Sequence, residues 1–170
     1  SAGDPSCRTS PNEQDQRHLA AMLHMPLLDP CTPQMAHQMG RFAFVLSELS
    51  ELPVILRPTT RVCHTRATVR FGQLQPPMVR GFTRDPQRLI PVPVNARRLR
   101  LKIEQRLAKA QELLEASPFV SEQGQGRLGI IAGEVRLLSL GAIHPLPAGP
   151  IVEFLGRVDK VLVVEELSPY

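Results

Sequence analysis

Six polar residues near the start of the chain form its densest group of side chains able to do chemistry. They are Asn12, Glu13, Gln14, Asp15, Arg17 and His18. A helix is predicted to begin here, and carboxylates are favoured at a helix N-terminus, so the group suits simple capping. The alternative is a functional role for this group, since carboxylates are common proton-transfer groups. The residues alone leave both interpretations open.

A second polar group directly follows a predicted strand at residues 53–57. It consists of Arg57, Thr59, Thr60, Arg61 and His64. Ligands of open parallel sheets bind beyond the carboxyl ends of the strands, and two arginines with two threonines suit a phosphate or a carboxylate. The other interpretation is a polar loop whose arginine stems pack over the sheet edge.

Three further candidates have simpler explanations. Glu165 and Glu166 are adjacent in a predicted strand, so they point to opposite faces and cannot act together on one ligand. His144 has no Cys or His at metal-ligand spacing, and packing is its predicted role. The three cysteines are also scattered, so no metal site is predicted. The G-x-S-x-G, G-x-x-x-x-G-K-S/T and H-E-x-x-H motifs do not occur in the sequence.

The first half of the chain is predicted to join helices to short buried strands, as in an α/β fold. A helix is expected over residues 14–24, with Leu19, Met22 and Leu23 facing inward. Thr32 and Pro33 predict the start of a longer helix. Its buried stripe follows helical spacing and consists of Met35, Met39, Phe42, Leu46 and Leu49. Residues 58–72 are predicted to be a loop and a second extended run.

The second half is predicted to begin with a proline-rich linker at residues 73–95. Asn95 is predicted to cap the longest helix of the chain. The inner stripe of that helix consists of Leu99, Ile103, Leu107, Ala110 and Leu114. Its outer face carries Arg97, Arg98, Arg100, Lys102, Arg106 and Lys109. Several of these cations are expected in the first turns, where the helix dipole disfavours positive charge, so either solvent or an external group must compensate.

Three apolar runs after residue 127 predict strands of a parallel sheet. The connection between the first two is anomalous, because only Gly133 and Glu134 separate Ile131 from Val135. Parallel neighbours need a crossover of about a dozen residues. Either these strands are antiparallel or a helix is missing. The chain also lacks an initiating Met and stops just after its last predicted strand, so we expect a fragment.

Composition places the chain among ordinary globular proteins. It has 170 residues, of which 42% are hydrophobic and 21% charged, and its formal net charge is +4. No apolar run is long enough to span a bilayer, and no signal-peptide pattern opens the chain, so a cytoplasmic protein without membrane contact is expected. The modest net charge, the 4% aromatic content and the absence of a reader motif argue against nucleic-acid binding.

The two polar groups, in their order along the chain, resemble a known family. The run Pro53-Val54-Ile55-Leu56-Arg57 followed by Thr59-Thr60-Arg61-Val62 and His64, preceded by Asn12-Glu13-Gln14-Asp15, is similar to the alpha subunit of indolepyruvate:ferredoxin oxidoreductase. The runs Pro145-Leu146-Pro147 and Val163-Val164-Glu165-Glu166-Leu167 resemble the next domain of that family. The resemblance covers nearly the whole chain.

This resemblance implies a 2-oxoacid:ferredoxin oxidoreductase that uses thiamine diphosphate. Such an enzyme converts aryl pyruvates, such as indolepyruvate, and CoA to aryl-acetyl-CoA and passes electrons through [4Fe–4S] clusters to ferredoxin. The complete alpha subunit would hold thiamine diphosphate, Mg²⁺ and the clusters, and would assemble with a beta subunit. The resemblance implies catalytic roles for Asn12, Glu13 and Asp15, and places Arg8, Arg57, Thr60, Arg61 and His64 at the substrate or cofactor cleft.

The same resemblance implies three segments. Residues 1–72 would be the C-terminal part of a pyrimidine-binding-like domain of the thiamine-diphosphate type, residues 73–95 the linker, and residues 96–170 part of a transketolase C-terminal-like parallel-sheet domain. The chain has no Gly-Asp-Gly loop for Mg²⁺ and diphosphate and too few cysteines for a four-thiolate cluster. We therefore expect no cofactor to be bound by motifs of this chain alone.

Two departures from the family pattern bear on activity. Arg8 stands where the family has a histidine, and arginine differs from histidine in pKa and reach. The short connection near Gly133 corresponds to a helix in the family, which indicates a deletion, a sequencing gap or a decayed copy. The chain alone is expected to be inactive, and the alternative function is a non-catalytic module for interaction between subunits.

Overall fold

The computed structural model describes residues 11, 15–73, 76, 81–122, 128–132, 138–158 and 160–164. Arg8, Asn12, Glu13, Glu165 and Glu166 lie outside the described residues. The described helices are Arg17–Leu23 (α1), Pro33–Ser50 (α2), Thr60–His64 (α3), Pro86–Leu89 (α4), Pro93–Arg100 (α5), Ile103–Glu115 (α6) and Ala148–Leu155 (α7). The described strands are Leu27–Leu28 (β1), Ile55–Leu56 (β2), Val120–Glu122 (β3), Leu128–Ala132 (β4), Leu138–Leu140 (β5), Ala142–His144 (β6) and Lys160–Val164 (β7).

The smaller sheet has the strand order β2-β1-β6. β1 runs parallel to β2, with Leu27 opposite Ile55, and antiparallel to β6. Leu27 and Leu28 are fully buried, as the central strand of a covered sheet requires. Because β6 comes from the second half of the chain, this sheet joins both halves.

Helix α2 begins where the sequence predicts. The Thr32 hydroxyl accepts a hydrogen bond from the Met35 backbone N–H at 3.1 Å, as an N-cap residue should. Met39 and Leu46 are buried as predicted, but the inward position predicted for Leu49 is wrong, since 52% of its surface is exposed. Buried Ser50 takes the last inward position instead, and its hydroxyl donates to the Leu46 carbonyl at 2.6 Å.

The inward face predicted for α1 is also wrong. Leu19, Met22 and Leu23 are exposed, and the buried residues of this helix are Arg17 and Ala20. Arg17 is buried together with Ala20, and its guanidinium pairs with a carboxylate described below. Apolar spacing alone could not reveal that contact.

The main core lies between α2 and α6. Its buried members are Leu28, Met39, Leu46, Ala110, Leu114, Phe119 and Ala142. Phe42 of α2 packs on Phe119, with ring centroids 5.3 Å apart. The inner stripe predicted for the second half is confirmed at Ala110 and Leu114, and the core draws on residues from both halves of the chain.

Residues 60–115 differ from the predicted loop and single long helix. Residues 60–64 form α3 rather than a loop. The helix predicted to start after Asn95 begins at Pro93 and is divided at Leu101 and Lys102 into α5 and α6. Neither part is the longest helix, because α2 has 18 residues and α6 has 13. The division places Arg97, Arg98 and Arg100 in the last turn of α5, where the helix dipole favours positive charge. The prediction that the helix dipole disfavours these three cations is therefore wrong.

The larger sheet has the strand order β3-β5-β4-β7. β4 is parallel to both neighbours, with Ile131 opposite Leu138 on one side and opposite Val163 on the other. The antiparallel alternative for β4 and β5 is therefore wrong. Five residues, 133–137, separate these two parallel strands in the sequence, far fewer than a crossover normally takes.

The architecture confirms an α/β fold, with two sheets that each combine parallel and antiparallel pairs. Within the described part of the chain, no helix has the length and apolar character needed to cross a membrane.

Two leucines of α2 provide a direct test of this packing. Leu46→Ala should lower the free energy of unfolding by about 2–5 kcal/mol, because it removes fully buried side-chain volume from the core. Leu49→Ala, three residues away on the exposed side, should change it by less than about 0.5 kcal/mol. Urea unfolding followed by circular dichroism measures both, and equal losses would contradict the orientation of α2.

Candidate functional site

Arg57 directly follows β2 and is the largest fully buried side chain of the described residues, with 2% of its surface exposed. Its Nη1 donates to Asp29 Oδ2 at 2.5 Å, and its Nε donates to Gln16 Oε1 at 3.1 Å. The backbone N–H of Arg57 also donates to the Leu28 carbonyl at 2.9 Å. Because Asp29 directly follows β1, the guanidinium connects the carboxyl ends of two parallel strands.

Arg17 and Asp15 form a second charged pair at the start of α1. Arg17 Nε donates to Asp15 Oδ1 at 3.0 Å, Arg17 Nη2 donates to Asp15 Oδ2 at 2.8 Å, and the Arg17 backbone N–H donates to Oδ1 at 3.0 Å. Such a two-pronged pair fixes orientation as well as distance. Gln16 lies between these two residues and binds Arg57, so both pairs belong to one network that holds the segment before α1.

The network shifts the titration of Asp15. Burial raises the pKa of this carboxyl, but the hydrogen bonds from Arg17 and the positive charges of Arg17 and Arg57 outweigh burial. The pKa of Asp15 is therefore lowered from its ordinary value of 3.8. Asp15 is thus held as a carboxylate that accepts hydrogen bonds, which suits a positioning role better than proton transfer near neutral pH.

Two buried polar atoms at the end of β2 have no hydrogen-bond partner among the described residues. They are Arg57 Nη2 and Thr59 Oγ1. A buried donor without a partner costs free energy, so such atoms favour a polar ligand that reaches them. The remaining Arg57 donor suits a carboxylate or phosphate oxygen, and this agrees with the chemistry predicted for this position from the sequence.

The remaining predicted site residues divide by exposure. Thr60 is buried at the first position of α3, whereas Arg61 and His64 are exposed on the same helix. Arg57 is among the site residues that the sequence predicts, whereas Asp29 is not. Asp29 follows β1 as Arg57 follows β2, so its position after a short extended run is a signal, but its contact with Arg57 depends on the pairing of two strands 28 residues apart.

His144, in β6, lies apart from any predicted ligand set. Burial lowers its pKa, and the charge of nearby His24 lowers it further. Among the residues that the structure describes, no three His, Cys, Asp or Glu side chains lie close enough together to hold a metal ion.

The chain is similar over nearly its whole length to part of a curated archaeal protein, "Indolepyruvate oxidoreductase subunit IorA". It is 38% identical over 188 residues to the protein of Methanothermobacter marburgensis, 36% over 193 residues to that of Thermococcus kodakarensis, and 31% over 188 residues to that of Archaeoglobus fulgidus. Each match covers 99% of this chain and 30% of the relative. No protein-family model and no solved structure gives a significant match.

These matches relate an α/β chain to part of a family of oxidoreductase subunits. It belongs to the family of indolepyruvate oxidoreductase subunit IorA, and it spans about 30% of the length of the relatives. The resemblance inferred from the sequence is confirmed.

The length of the matches also bears on the connection between β4 and β5. The match to the Methanothermobacter marburgensis protein extends over 188 residues, whereas this chain has 170, so at least 18 positions of the relative have no counterpart here. A crossover helix with its loops has about that length. The match length does not fix where along the chain these positions fall, so the missing helix between β4 and β5 stays a prediction.

The pair of Arg57 and Asp29 makes a testable contribution to stability. Arg57→Met should lower the free energy of unfolding by about 2–4 kcal/mol, because it removes the buried guanidinium that compensates the mostly buried carboxylate of Asp29. Lys109→Met breaks an exposed pair with Glu112 and should change it by less than about 1 kcal/mol. Thermal or urea unfolding measures both. Adding Asp29→Leu to Arg57→Met should recover part of the loss, and no recovery would contradict a charge-based explanation.

Asp15 predicts a specific dependence of stability on pH. Its lowered pKa means that the unfolded chain binds more protons between the folded and unfolded pKa values, so the stabilisation is complete above about 3.8 and is lost as the pH falls through the folded value. The stability difference between wild type and Asp15→Asn should therefore shrink from pH 6 to about pH 2. Unfolding measured across this range tests it. In an Arg17→Met background the same difference should be smaller and less dependent on pH.

Proposed function

We propose that the chain is a segment of the alpha subunit of an indolepyruvate:ferredoxin oxidoreductase. The proposed reaction converts an aryl pyruvate and CoA to aryl-acetyl-CoA and CO₂, and transfers two electrons to ferredoxin. The observation that carries the proposal is the similarity of 99% of the chain to proteins named indolepyruvate oxidoreductase subunits. A beta subunit is the proposed partner, since the relatives are named as subunits.

In this proposal the Arg57 network lines the cleft of the larger enzyme. Arg57 Nη2 is desolvated and has hydrogen-bonding capacity left, so it would bind an anionic group of the substrate or cofactor. The Arg17–Asp15 pair and the contact of Arg57 with Gln16 would fix the segment that carries Asn12 and Glu13. Thr60, Arg61 and His64 follow on α3, and Arg8 precedes the network in the sequence. Precise positioning of reacting groups is a large part of catalytic power.

The cofactors of the proposed reaction belong to the complete subunit. Thiamine diphosphate would supply stabilisation of the carbanion that decarboxylation produces. The sequence has neither the Gly-Asp-Gly loop for Mg²⁺ and diphosphate nor enough cysteines for a [4Fe–4S] cluster. The residues of this chain therefore do not fit these groups by themselves, and the proposed roles of its residues are to bind anions and to hold the cleft. The division at residues 73–95 into a pyrimidine-type and a transketolase C-terminal-like domain remains part of this proposal.

One observation favours a second candidate function, a non-catalytic module for interaction between subunits. Five residues connect the parallel strands β4 and β5, and at least 18 positions of a relative are absent. Loss of a crossover helix would uncover one face of the larger sheet. A partner could cover that face without any catalysis by this chain.

A chimaeric enzyme distinguishes the two candidates. The matching segment of the Methanothermobacter marburgensis subunit is replaced by this chain, and ferredoxin reduction is measured with indolepyruvate and CoA. We expect turnover, and we expect Glu13→Ala in the chimaera to lower kcat by about tenfold or more without lowering the melting temperature. Glu104→Ala, an exposed position on α6, is the matched control.

The possible results separate the two functions. An assembled chimaera without turnover would favour the interaction module. An active chimaera whose kcat is unchanged by Glu13→Ala would contradict the catalytic role of Glu13 but not the proposed reaction. Arg8→His restores the residue of the family and should raise kcat if position 8 contacts the substrate.

A further inference from the structure

Positive charge is concentrated in one part of this chain. Residues 57–109 contain 13 of the 20 Lys and Arg residues but only two of the 16 Asp and Glu residues. Their formal charge is therefore +11, whereas the remainder of the chain carries −7. A field of one sign over one surface attracts partners of opposite charge. The overall net charge of +4 conceals this division.

Helix α5 presents an exposed face within this basic segment. Val94, Arg97, Arg98 and Leu101 follow the spacing i, i+3, i+4 and i+7, which places them on one side of a helix. Leu101 is the C-cap residue and keeps helical backbone angles, so it continues that face. Val94 is 67% exposed and Leu101 79% exposed, and both arginines are exposed. These four residues are called the α5 face below.

The rest of the chain lies on the other side of this helix. Leu99 is only partly exposed and lines a cavity of about 390 Å³ together with Leu52 and Arg106. Asn95 donates to the Ile90 carbonyl at 3.0 Å, which ties the start of α5 to the preceding turn. The α5 face is therefore turned outward on a helix that is fixed from behind.

The cations around the α5 face have no carboxylate partners. Within the described ranges, no salt bridge involves Arg97, Arg98, Arg100 or Lys102. Arg98 donates to Gln87 Oε1 at 3.0 Å, and Arg100 lies 3.1 Å from His24 Nε2. Helix α5 itself contains no acidic residue. Four neighbouring cations repel one another, and an acidic surface would relieve that repulsion.

We propose that the α5 face docks into an apolar groove rimmed by carboxylates on a partner protein. Two aliphatic anchors at i and i+7 with charges between them fit the recognition of a helix by a groove. Val94 and Leu101 would fill the groove, and Arg97 and Arg98 would pair with its rim. This inference does not depend on the proposed enzymatic function.

The composition of the face favours a protein over the other polyanions. Phosphate contacts of nucleic acid need cations but give no role to exposed Val94 and Leu101. A helix that lies on a membrane needs a broad apolar face, whereas Arg97 and Arg98 interrupt this one. Only an acidic and apolar protein groove uses all four side chains.

The test measures binding of the intact chain to four defined probes. They are a designed two-helix peptide whose leucine-lined groove is flanked by glutamates, the same peptide with its leucines replaced by serine, a DNA duplex, and vesicles containing anionic phosphatidylglycerol. We expect the leucine-glutamate peptide to bind most tightly. Val94→Ser/Leu101→Ser and Arg97→Gln/Arg98→Gln should each weaken its binding about tenfold, which corresponds to about 1.4 kcal/mol.

Arg66→Gln/Arg84→Gln removes the same charge from two other exposed arginines of the basic segment and should change the Kd less than threefold. Unchanged melting temperatures show that the variants fold. Equal weakening by both arginine pairs, or tighter binding of DNA or vesicles, would overturn the proposal. The α5 face could instead bind a second copy of this chain, and sedimentation of the chain alone tests this. Self-association that Val94→Ser/Leu101→Ser abolishes would identify a second copy as the partner and overturn the proposal.

Discussion

The smaller sheet and the candidate site both depend on the contacts of the buried Arg57 guanidinium. It lies between Asp29, at the end of β1, and Gln16, before α1, so one side chain ties three separate segments together. Burying a cation is costly unless its partners are well placed. The backbone of Arg57 is fixed by the strand pairing, and the pairing in turn sets the distance to Asp29. The sheet and the ion pair therefore stabilise each other, and loss of either would release the segment before α1.

The sequence predicts those parts of the fold that local chemistry decides. The N-cap at Thr32 and the stripe through Met39 and Leu46 depend on neighbours within one or two turns, and both predictions are confirmed. The end of the same stripe depends on tertiary packing. Steps of three and four residues are both compatible with a helix, so the sequence could not decide between Leu49 and Ser50. The hydrogen bond of the Ser50 hydroxyl and the shape of the core decide it.

The candidate site shows the same limit. Arg57 was predictable because it ends a strand that is recognisable from its own residues. Asp29 was not identified because its importance arises only when β1 pairs with β2, and these strands are 28 residues apart. The inward face predicted for α1 is wrong for a different reason, because the side chain of Arg17 pairs with Asp15 two residues earlier and is buried despite its charge. Polar networks built from distant segments are thus the part that a single sequence conceals.

Buried and exposed arginines differ in how their charge is compensated. Two buried arginines, Arg17 in α1 and Arg57 after β2, each pair with a carboxylate, Asp15 or Asp29, so their positive charge is compensated within the chain. Among the residues that the structure describes, the exposed arginines of α5 have no carboxylate partners, and the helix is fixed with this side outward. A folded chain gains nothing in internal stability from exposed cations that repel one another and from aliphatic side chains left in water. The features that fail to stabilise the chain itself are therefore the ones that indicate contact with another molecule.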